Sequence, residues 1–390
     1  MNQGKYVFTQ IIESISRYRF DQCVQTYKGN QYIKSFSSYE QFLAMSFGQL
    51  AYRESLRDIV VCLSSHKAKL YHLGFKGVVT KSTLADANEK RDWHIYQDLA
   101  IVLIKEARTL YAKNTSFQLD LDGAVYLLDS TSIELCLTLF PWAAYMDSKG
   151  ATKLHMVMDL QGSIPTFFHI TDGRVHDVQF LDVITYEAGA YYVMDRGYLD
   201  FRRLYTINQA GAFFVTRPKR DARFVRTRSR KVDKQAGLRC DQTVHLVCKK
   251  SREKYPKVLR RIKYYDSETD CMYIFITNNF SISSQMVADL YKHRWQIELF
   301  FKWIKQHLKI KVFWGRSSNA VKTQLCIALC TYLIIAILKK KLSLKQDMYE
   351  ILQVISISLF DKTPIAQLFS ETGIQSVSDD TQNTLPLEGF

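Results

Sequence analysis

The stretch YKHRWQIELFFKWIK, residues 291–305, combines a polar and an apolar pattern on one predicted helix. At about 100° per residue, four polar side chains fall within a stripe about 60° wide: Tyr291, Arg294, Glu298 and Lys305. An apolar face lies beside that stripe and contains Leu290, Ile297, Phe301, Ile304 and Leu308. The pattern predicts an amphipathic helix from Ser283 or Ser284 to Leu308 that packs its apolar face on a sheet. An ordinary i, i+4 Arg–Glu pair on a solvated face would explain part of the same pattern.

Two aspartates elsewhere in the chain follow apolar, β-rich runs. Asp129 follows residues 125–128 and is predicted to end a strand, and Asp195 follows residues 191–194 at the end of another. Gly197 permits a tight turn after the second strand. Taken singly, each aspartate is equally well explained as a turn residue or a helix N-cap.

The runs around these aspartates describe an α/β fold. Strands are predicted at Lys153–Leu160 and Pro165–Thr171, joined by a turn at 161–163, and a further strand at Ala212–Thr216. Helices are predicted at Val178–Ala188 and Leu199–Gln209. Three strands followed by alternating strands and helices indicate a mixed sheet flanked by helices.

Converging carboxylates suit a particular chemistry. Phosphodiester cleavage by two metal ions needs acidic side chains around two cations, one of which activates the attacking oxygen while the other stabilises the leaving oxygen. Oxygen ligands favour Mg²⁺ or Mn²⁺. Asp129, Asp195 and Glu298 are the acids that the strand and helix patterns single out.

The Tyr-x2-Arg-x3-Glu-x6-Lys spacing within residues 291–305 resembles the signature of the IS-four group of DDE transposases from bacterial insertion sequences. Residues 195–198, Asp-Arg-Gly-Tyr, resemble the second aspartate motif of that group, and residues 127–131, Leu-Leu-Asp-Ser-Thr, resemble its first. The resemblance covers about residues 120–310.

This resemblance implies an RNase H-like catalytic core with a β-rich insertion and a helical N-terminal domain. Three acids would be the catalytic residues and the ligands of two Mg²⁺ or Mn²⁺ ions: Asp129, Asp195 and Glu298. The other signature residues would contact the DNA backbone near the cut: Tyr291, Arg294 and Lys305. The implied activity is binding of the terminal inverted repeats, hydrolysis at the ends, and transfer of the 3′ ends into target DNA. A homodimer is expected from the family.

One departure from the family concerns tryptophan. Relatives that form a DNA hairpin stack a flipped base on a Trp in the β insertion, and none of the five Trp residues here lies between Asp195 and Tyr291. Either another aromatic residue takes that role or the hairpin step differs. The candidates are Phe224, Tyr255, Tyr264 and Tyr265.

Positive charge is concentrated in one segment. Residues 217–263 contain eighteen Lys/Arg against four Asp/Glu, an excess of fourteen, while the whole chain carries a formal charge of +15. The short apolar runs there predict strands. A solvated basic loop is the alternative to a DNA-facing subdomain.

The expected organisation has five parts. These are a helical DNA-binding segment 1–118, core segments 119–216 and 279–368, the basic insertion 217–278 and a polar tail 369–390. Within the first, Leu56–Arg91 is a candidate helix-turn-helix, with five residues toward DNA: Ser82, Thr83, Asn88, Lys90 and Arg91. Plain helical packing is the alternative.

Composition limits the remaining possibilities. With 47% apolar residues the chain builds substantial cores. Its eight cysteines show no paired spacing, so free thiols are expected and a zinc site is not. The apolar run 325–338 is too short for a membrane span and predicts a buried helix. We expect a cytoplasmic, nucleoid-associated bacterial protein. The alternatives to a transposase are an RNase H-like nuclease or resolvase without strand transfer, and a non-catalytic DNA-binding relative.

Overall fold

The computed structural model describes residues 4–112, 121–146 and 149–370. Within these ranges, ten strands form one mixed sheet. The strands are β1 (Val125–Leu135), β2 (Ala144–Met146), β3 (Lys149–Asp159), β4 (Ile164–Asp172), β5 (Tyr191–Met194), β6 (Phe213–Thr216), β7 (Phe224–Arg230), β8 (Leu238–Leu246), β9 (Leu259–Asp266) and β10 (Cys271–Thr277).

Five strands form the centre of the sheet in the order β4-β3-β1-β5-β6. Strand β3 is antiparallel to β1 and β4, whereas β1, β5 and β6 are parallel to one another. Parallel neighbours need crossover connections, and these place helices on the sheet faces. This order and direction are those of an RNase H-like core, so the predicted fold class is confirmed.

The basic insertion extends the same sheet. Strand β10 pairs antiparallel with β6, and β9, β8 and β7 follow outward. Strand β7 forms the outer edge, and its middle residues are exposed. Its alternating arginines, at 226, 228 and 230, discourage a second chain from pairing with this edge.

Thirteen helices within the described ranges cover the two faces of the sheet. They are α1 (Val7–Ile12), α2 (Arg17–Thr26), α3 (Ser38–Leu50), α4 (Leu56–Ser65), α5 (Lys81–Lys90), α6 (His94–Tyr111), α7 (Phe201–Gln209), α8 (Lys249–Lys254), α9 (Ser284–Lys292), α10 (Trp295–His307), α11 (Ser318–Lys341), α12 (Met348–Ser358) and α13 (Ile365–Ser370). Helix α7 lies on one face with residues of β8 and β9, and we call that buried layer the second core. The larger first core fills the other face beneath the remaining long helices.

The N-terminal helices do not have a core of their own. The first core runs without interruption from α1 through α6 to α11 and α12. Tyr96 of α6, for example, stacks on Phe42 of α3, and its carbonyl oxygen lies 3.5 Å from the Cys330 thiol of α11. The proposed boundary at 118/119 falls outside the described residues, as does the tail from 371 onward. The helical segment is therefore one structural unit with the C-terminal helices.

Helix α11 contains the apolar run 325–338. It is the one helix among the described residues that is long and apolar enough to cross a membrane, but 94% of its apolar window is buried inside the protein. Burial against α3 and α6 makes it a core helix, as the sequence predicted.

Two predicted helices differ from the structure. The helix expected over Val178–Ala188 is wrong: a 3-10 helix covers Asp177–Asp182 only. The β-branched run 183–185 disfavours helix, and Gly189 adopts a φ of 80°. The helix expected from 283 to 308 is divided into α9 and α10 by a tight turn. There, the amides of Arg294 and Ile297 donate to the carbonyls three residues earlier.

Candidate active site

Asp129 was predicted to end a strand, but this prediction is wrong because Asp129 lies in the middle of β1. Strand β1 continues to Leu135, and its residues after Thr131 alternate between exposed and buried. Its parallel pairing with β5 nevertheless stops at Leu128, which is opposite Met194. Asp129 is therefore the first residue of β1 beyond that pairing. The polar-apolar alternation of residues 131–135 was the overlooked sign that the strand goes on.

Asp195 occupies the equivalent position on the neighbouring strand. It follows Met194, the last residue of β5, just as Asp129 follows Leu128. Both aspartates therefore stand one residue past the same register pair, on strands about 4.8 Å apart. Side chains alternate along a strand, so both point to the face of Leu127 and Val193, which belong to the first core.

The turn between α9 and α10 brings the signature residues to these aspartates. The Tyr291 hydroxyl donates to Asp195 Oδ1 at 3.1 Å. Arg294 Nη1 donates to Asp129 Oδ2 at 3.4 Å, while Nη2 lies 2.5 Å from Glu298 Oε1. One guanidinium thus joins the β1 acid to the helical acid.

The 3-10 turn explains how Tyr291 and Arg294 act side by side. Side chains at i and i+3 lie above each other in a 3-10 turn, more closely aligned than in an α-helix. The Arg294 guanidinium lies 5.6 Å from the centre of the Tyr291 ring. A continuous helix predicts the shared stripe, but the tight turn places both groups over two adjacent strands.

Lys305 lies two turns further along α10. Its Nζ donates to the carbonyl oxygen of Ser132 at 2.9 Å, which fixes α10 against β1. It also lines an open cleft of about 460 Å³ together with Asp129 and Glu298. Lys302 and Lys311 line the same cleft, and sequence reasoning did not single them out. Lys302 falls about 40° from Glu298 on the helical projection, so a wider stripe would have included it.

Burial sets the electrostatics of the site. It raises the pKa of Asp129 to about 6, although the amide of Ser130 and the Arg294 guanidinium oppose the rise. Repulsion from Glu298 and Asp195 acts in the same direction as burial. Burial also raises the pKa of Tyr291 to about 12, so its phenol stays protonated and donates to Asp195.

The three acids offer a donor set that fits a hard divalent cation. Carboxylate oxygens are the ligands that Mg²⁺ and Mn²⁺ prefer. Among the residues described, no three His, Cys, Asp or Glu side chains are already arranged as a metal site. The Arg294 guanidinium contacts both Asp129 and Glu298 and so balances part of their negative charge.

The four aromatic residues of the insertion that were considered for base stacking differ in how exposed they are. Tyr255 is buried to 1% exposure in the second core, and Phe224 packs against that core. Tyr264 and Tyr265 are half-buried on β9. Tyr255 is therefore excluded as a surface for stacking a base.

The predicted helix-turn-helix is wrong. Residues 66–80, which include a 3-10 helix, separate α4 from α5, whereas the motif needs a turn of three or four residues. Asn88 is buried and accepts a hydrogen bond from Gln41, and Arg91 donates to the Ser37 carbonyl at 2.9 Å. Of the residues expected to face DNA, Ser82 and Lys90 are exposed and Thr83 is half-buried.

Comparison with known proteins supplies the family. The family model described as "Transposase DDE domain" matches residues 120–334, which is more than half of the chain. This chain belongs to the DDE transposase family. The transposase is 35% identical over 291 residues to transposase y4zB of Sinorhizobium fredii, as that protein is named. The alignment covers 73% of this chain and 79% of the relative.

Further likenesses cover different parts of the transposase. A protein of Geobacillus stearothermophilus, named as transposase for insertion sequence element IS5377, is 27% identical over 65% of this chain and 66% of its own. A piggyBac transposase synaptic complex with hairpin DNA superimposes with a TM-score of 0.45 at 14% identity, covering 97% of this chain and 84% of that one. Residues 3–76 match a domain of unknown function, DUF4372.

Proposed function

We propose that Asp129, Asp195 and Glu298 are the catalytic residues of this transposase and hold two Mg²⁺ or Mn²⁺ ions. The observation that carries the proposal is the common register of the two aspartates, with Glu298 joined to Asp129 through Arg294. Bound cations would activate the attacking oxygen and stabilise the leaving oxygen of a DNA phosphodiester. The finer assignments rest on the resemblance: cutting at the ends of an insertion sequence, then transfer of the 3′ ends into target DNA.

The three acids are held in place by different elements of the fold. Asp129 and Asp195 stand on adjacent strands of a rigid sheet, so their carboxylates are held at a set separation before substrate arrives. Glu298 comes from a helix that is fixed by the Lys305–Ser132 hydrogen bond. The acids are therefore supported by two independent elements that meet at the cleft.

The remaining signature residues would contact the DNA backbone. Arg294 presents a planar guanidinium that matches a phosphate in two-point geometry, and Lys305 supplies a point charge at the cleft. Tyr291 would donate its hydroxyl. Asp129 and Glu298 would hold the cations, and the Arg294 guanidinium, which here contacts both carboxylates, would then be available to a phosphate.

The partners proposed are the terminal inverted repeats and target duplex DNA, held by a homodimer that joins two ends. We also propose that the helical segment 1–118 contributes to end binding and that the transposase acts in the bacterial cytoplasm at the nucleoid. Because this segment shares the first core with α11, end binding has to be tested on the full chain.

Isosteric substitution of the acids tests the catalytic assignment. We expect D129N, D195N and E298Q each to lower Mg²⁺-dependent cleavage of a duplex carrying the element's terminus by at least about a thousand-fold, with duplex binding retained. The matched control is E134Q, which changes an exposed carboxylate further along β1 and should cleave normally. Cleavage by any of the three variants at the wild-type rate would refute the assignment.

Joining is tested separately from cutting. With precut ends, the transposase should insert the 3′ ends into a target plasmid, whereas a nuclease or resolvase leaves the plasmid intact. Cutting without insertion would favour the nuclease alternative, and activity of E298Q in a transposition assay would favour a non-catalytic role for this site.

A further inference from the structure

A concentration of exposed positive charge lies around helix α8 and the loop between β6 and β7. We call it the α8 basic surface. It consists of the exposed side chains of Lys219, Arg220, Arg223, Lys249, Lys250, Arg252, Lys254 and Lys257. These residues come from the loop between β6 and β7, from helix α8, and from the loop after α8.

The charges of this surface are not neutralised by the fold. Within the described part of the chain, none of the eight side chains forms an ion pair with a carboxylate. Nearby arginines of the same insertion behave differently, because Arg230 and Arg260 both bind the buried carboxylate of Asp241, at 3.1 and 2.7 Å. Some basic residues of the insertion, such as Arg230 and Arg260, are thus paired with a buried carboxylate, whereas those of the α8 basic surface are paired with no carboxylate among the described residues.

Helix α8 carries these charges without contributing to a core. None of its six residues is buried. Its position is set by the next residue, Tyr255, whose ring packs edge-on against Tyr205 at 5.6 Å and Phe214 at 6.2 Å. The basic side chains are therefore held on a firm support but do not stabilise the fold, which is what a surface for a polyanionic partner requires.

A cleft of about 550 Å³ lies beneath this helix. Its lining combines apolar side chains such as Phe201 and Leu246 with four basic residues and two carboxylates: Lys219, Arg223, Lys250, Lys254, Asp200 and Asp221. The basic residues outnumber the acids there, and long basic side chains can follow the phosphates of a duplex backbone.

The α8 basic surface and the acids are on opposite faces of the sheet. Leu246 and Tyr255 beside α8 belong to the second core, whereas the neighbours of Asp129 and Asp195, Leu127 and Val193, belong to the first. A straight duplex that enters the acidic cleft on one face cannot at the same time lie on the other.

We propose that the α8 basic surface binds a second DNA duplex, distinct from the one whose phosphodiester enters the acidic cleft. The proposal rests on the proposed function only in taking DNA as the substrate. Contact is through phosphates, so binding at this surface is independent of base sequence and falls steeply with salt. A transposase that joins one DNA to another needs a second duplex-binding surface of this kind.

Stoichiometry with a short duplex tests the proposal. The probe is a 12-base-pair duplex of arbitrary sequence, about 40 Å long, which offers few phosphates beyond those that one surface can contact. Full-length E298Q is titrated at low salt, so that the measurement does not depend on cleavage. We expect two duplexes per chain, and one duplex per chain when K249Q, K250Q, R252Q and K254Q are added.

The salt dependence gives a second measure. Removing four phosphate contacts should reduce the slope of log affinity against log salt by about 3.6. A K249R/K250R/K254R variant keeps the charges and should behave as the parent. K341Q/K345Q removes the last lysine of α11 and one in the loop after it, and should also leave both duplexes bound.

Two outcomes overturn the proposal. One is an unchanged stoichiometry and slope in the fourfold variant. The other is loss of all duplex binding in that variant, because the surface would then contact the same duplex as the cleft. If the wild type binds two duplexes but does not cleave DNA, the proposed catalytic function is refuted while the proposal for the α8 basic surface is supported.

Discussion

Replacement of Arg294 by Gln removes the one cation that joins two acids of the site. The side chains of Arg294, Asp129 and Glu298 are 16%, 19% and 30% exposed, so the pair is largely but not fully buried. Breaking a fully buried pair costs about 3–5 kcal/mol, and exposed pairs contribute about 0–1 kcal/mol. For this intermediate exposure we expect a loss of about 1–3 kcal/mol in the free energy of unfolding without divalent cations.

The assay is thermal unfolding with and without a divalent cation. For a chain of this length, that loss corresponds to a fall in Tm of about 1–4 °C in EDTA. Addition of about 10 mM MgCl₂ should restore most of the fall in R294Q, because a cation that binds only the folded acids stabilises the folded state. Wild type should respond less, since its guanidinium already balances the same carboxylates.

The matched control is R203Q, which breaks an ion pair between Arg203 and the exposed Asp182 outside the site. It should lose less than about 0.5 kcal/mol and show no added response to Mg²⁺. The reasoning is refuted if R294Q unfolds at the wild-type temperature in EDTA, or if its gain from Mg²⁺ does not exceed that of wild type.

Three further substitutions have defined outcomes. D241N leaves Arg260 buried without its counter-ion and should cost about 3 kcal/mol of unfolding free energy, measured by urea denaturation. Burial raises the pKa of Asp241, but hydrogen bonds and charge from Arg260 outweigh it and lower the pKa overall. The wild type should therefore lose the stability contributed by this carboxylate as pH falls below about 4, whereas D241N should not. Y291F removes the hydrogen bond to Asp195 but keeps the ring, so it should cost about 0.5–1.5 kcal/mol and lower the cleavage rate without unfolding. G237A should cost more than about 1 kcal/mol by the same urea measurement, because Gly237 has a φ of 83° and an added Cβ would lie 2.4 Å from a backbone oxygen of β9.

The buried Asp241 network also links the insertion to helix α9. Arg260 binds Asp241 at 2.7 Å, and the Ser284 hydroxyl donates to the same carboxylate at 2.9 Å. Ser284 is the first residue of α9, the helix that carries Tyr291. The Asp241 carboxylate therefore connects strands β8 and β9 to the start of the helix whose Tyr291 hydroxyl donates to Asp195.

Local sequence patterns predicted the parts of this structure that depend on near neighbours. The alternation in β3 and β4 and the turn between them follow from short-range preferences, as does the capping of α9 by Ser283. The helix expected at Val178–Ala188 failed because β-branched residues and Gly189 outweighed its apolar content. The predicted roles of Asn88 and Arg91 failed because their partners, Gln41 and Ser37, are distant in sequence.

By itself, the sequence determined the family and supplied four candidate site residues, since their spacing along the chain is read without knowledge of tertiary contacts. It also located the excess charge in residues 217–263. Only the tertiary structure decided that Asp129 lies within a strand, level with Asp195, because strand register is set by pairing between distant segments. The division of the basic residues between a buried network and the opposite face of the sheet has the same origin: which face a side chain meets depends on what packs there.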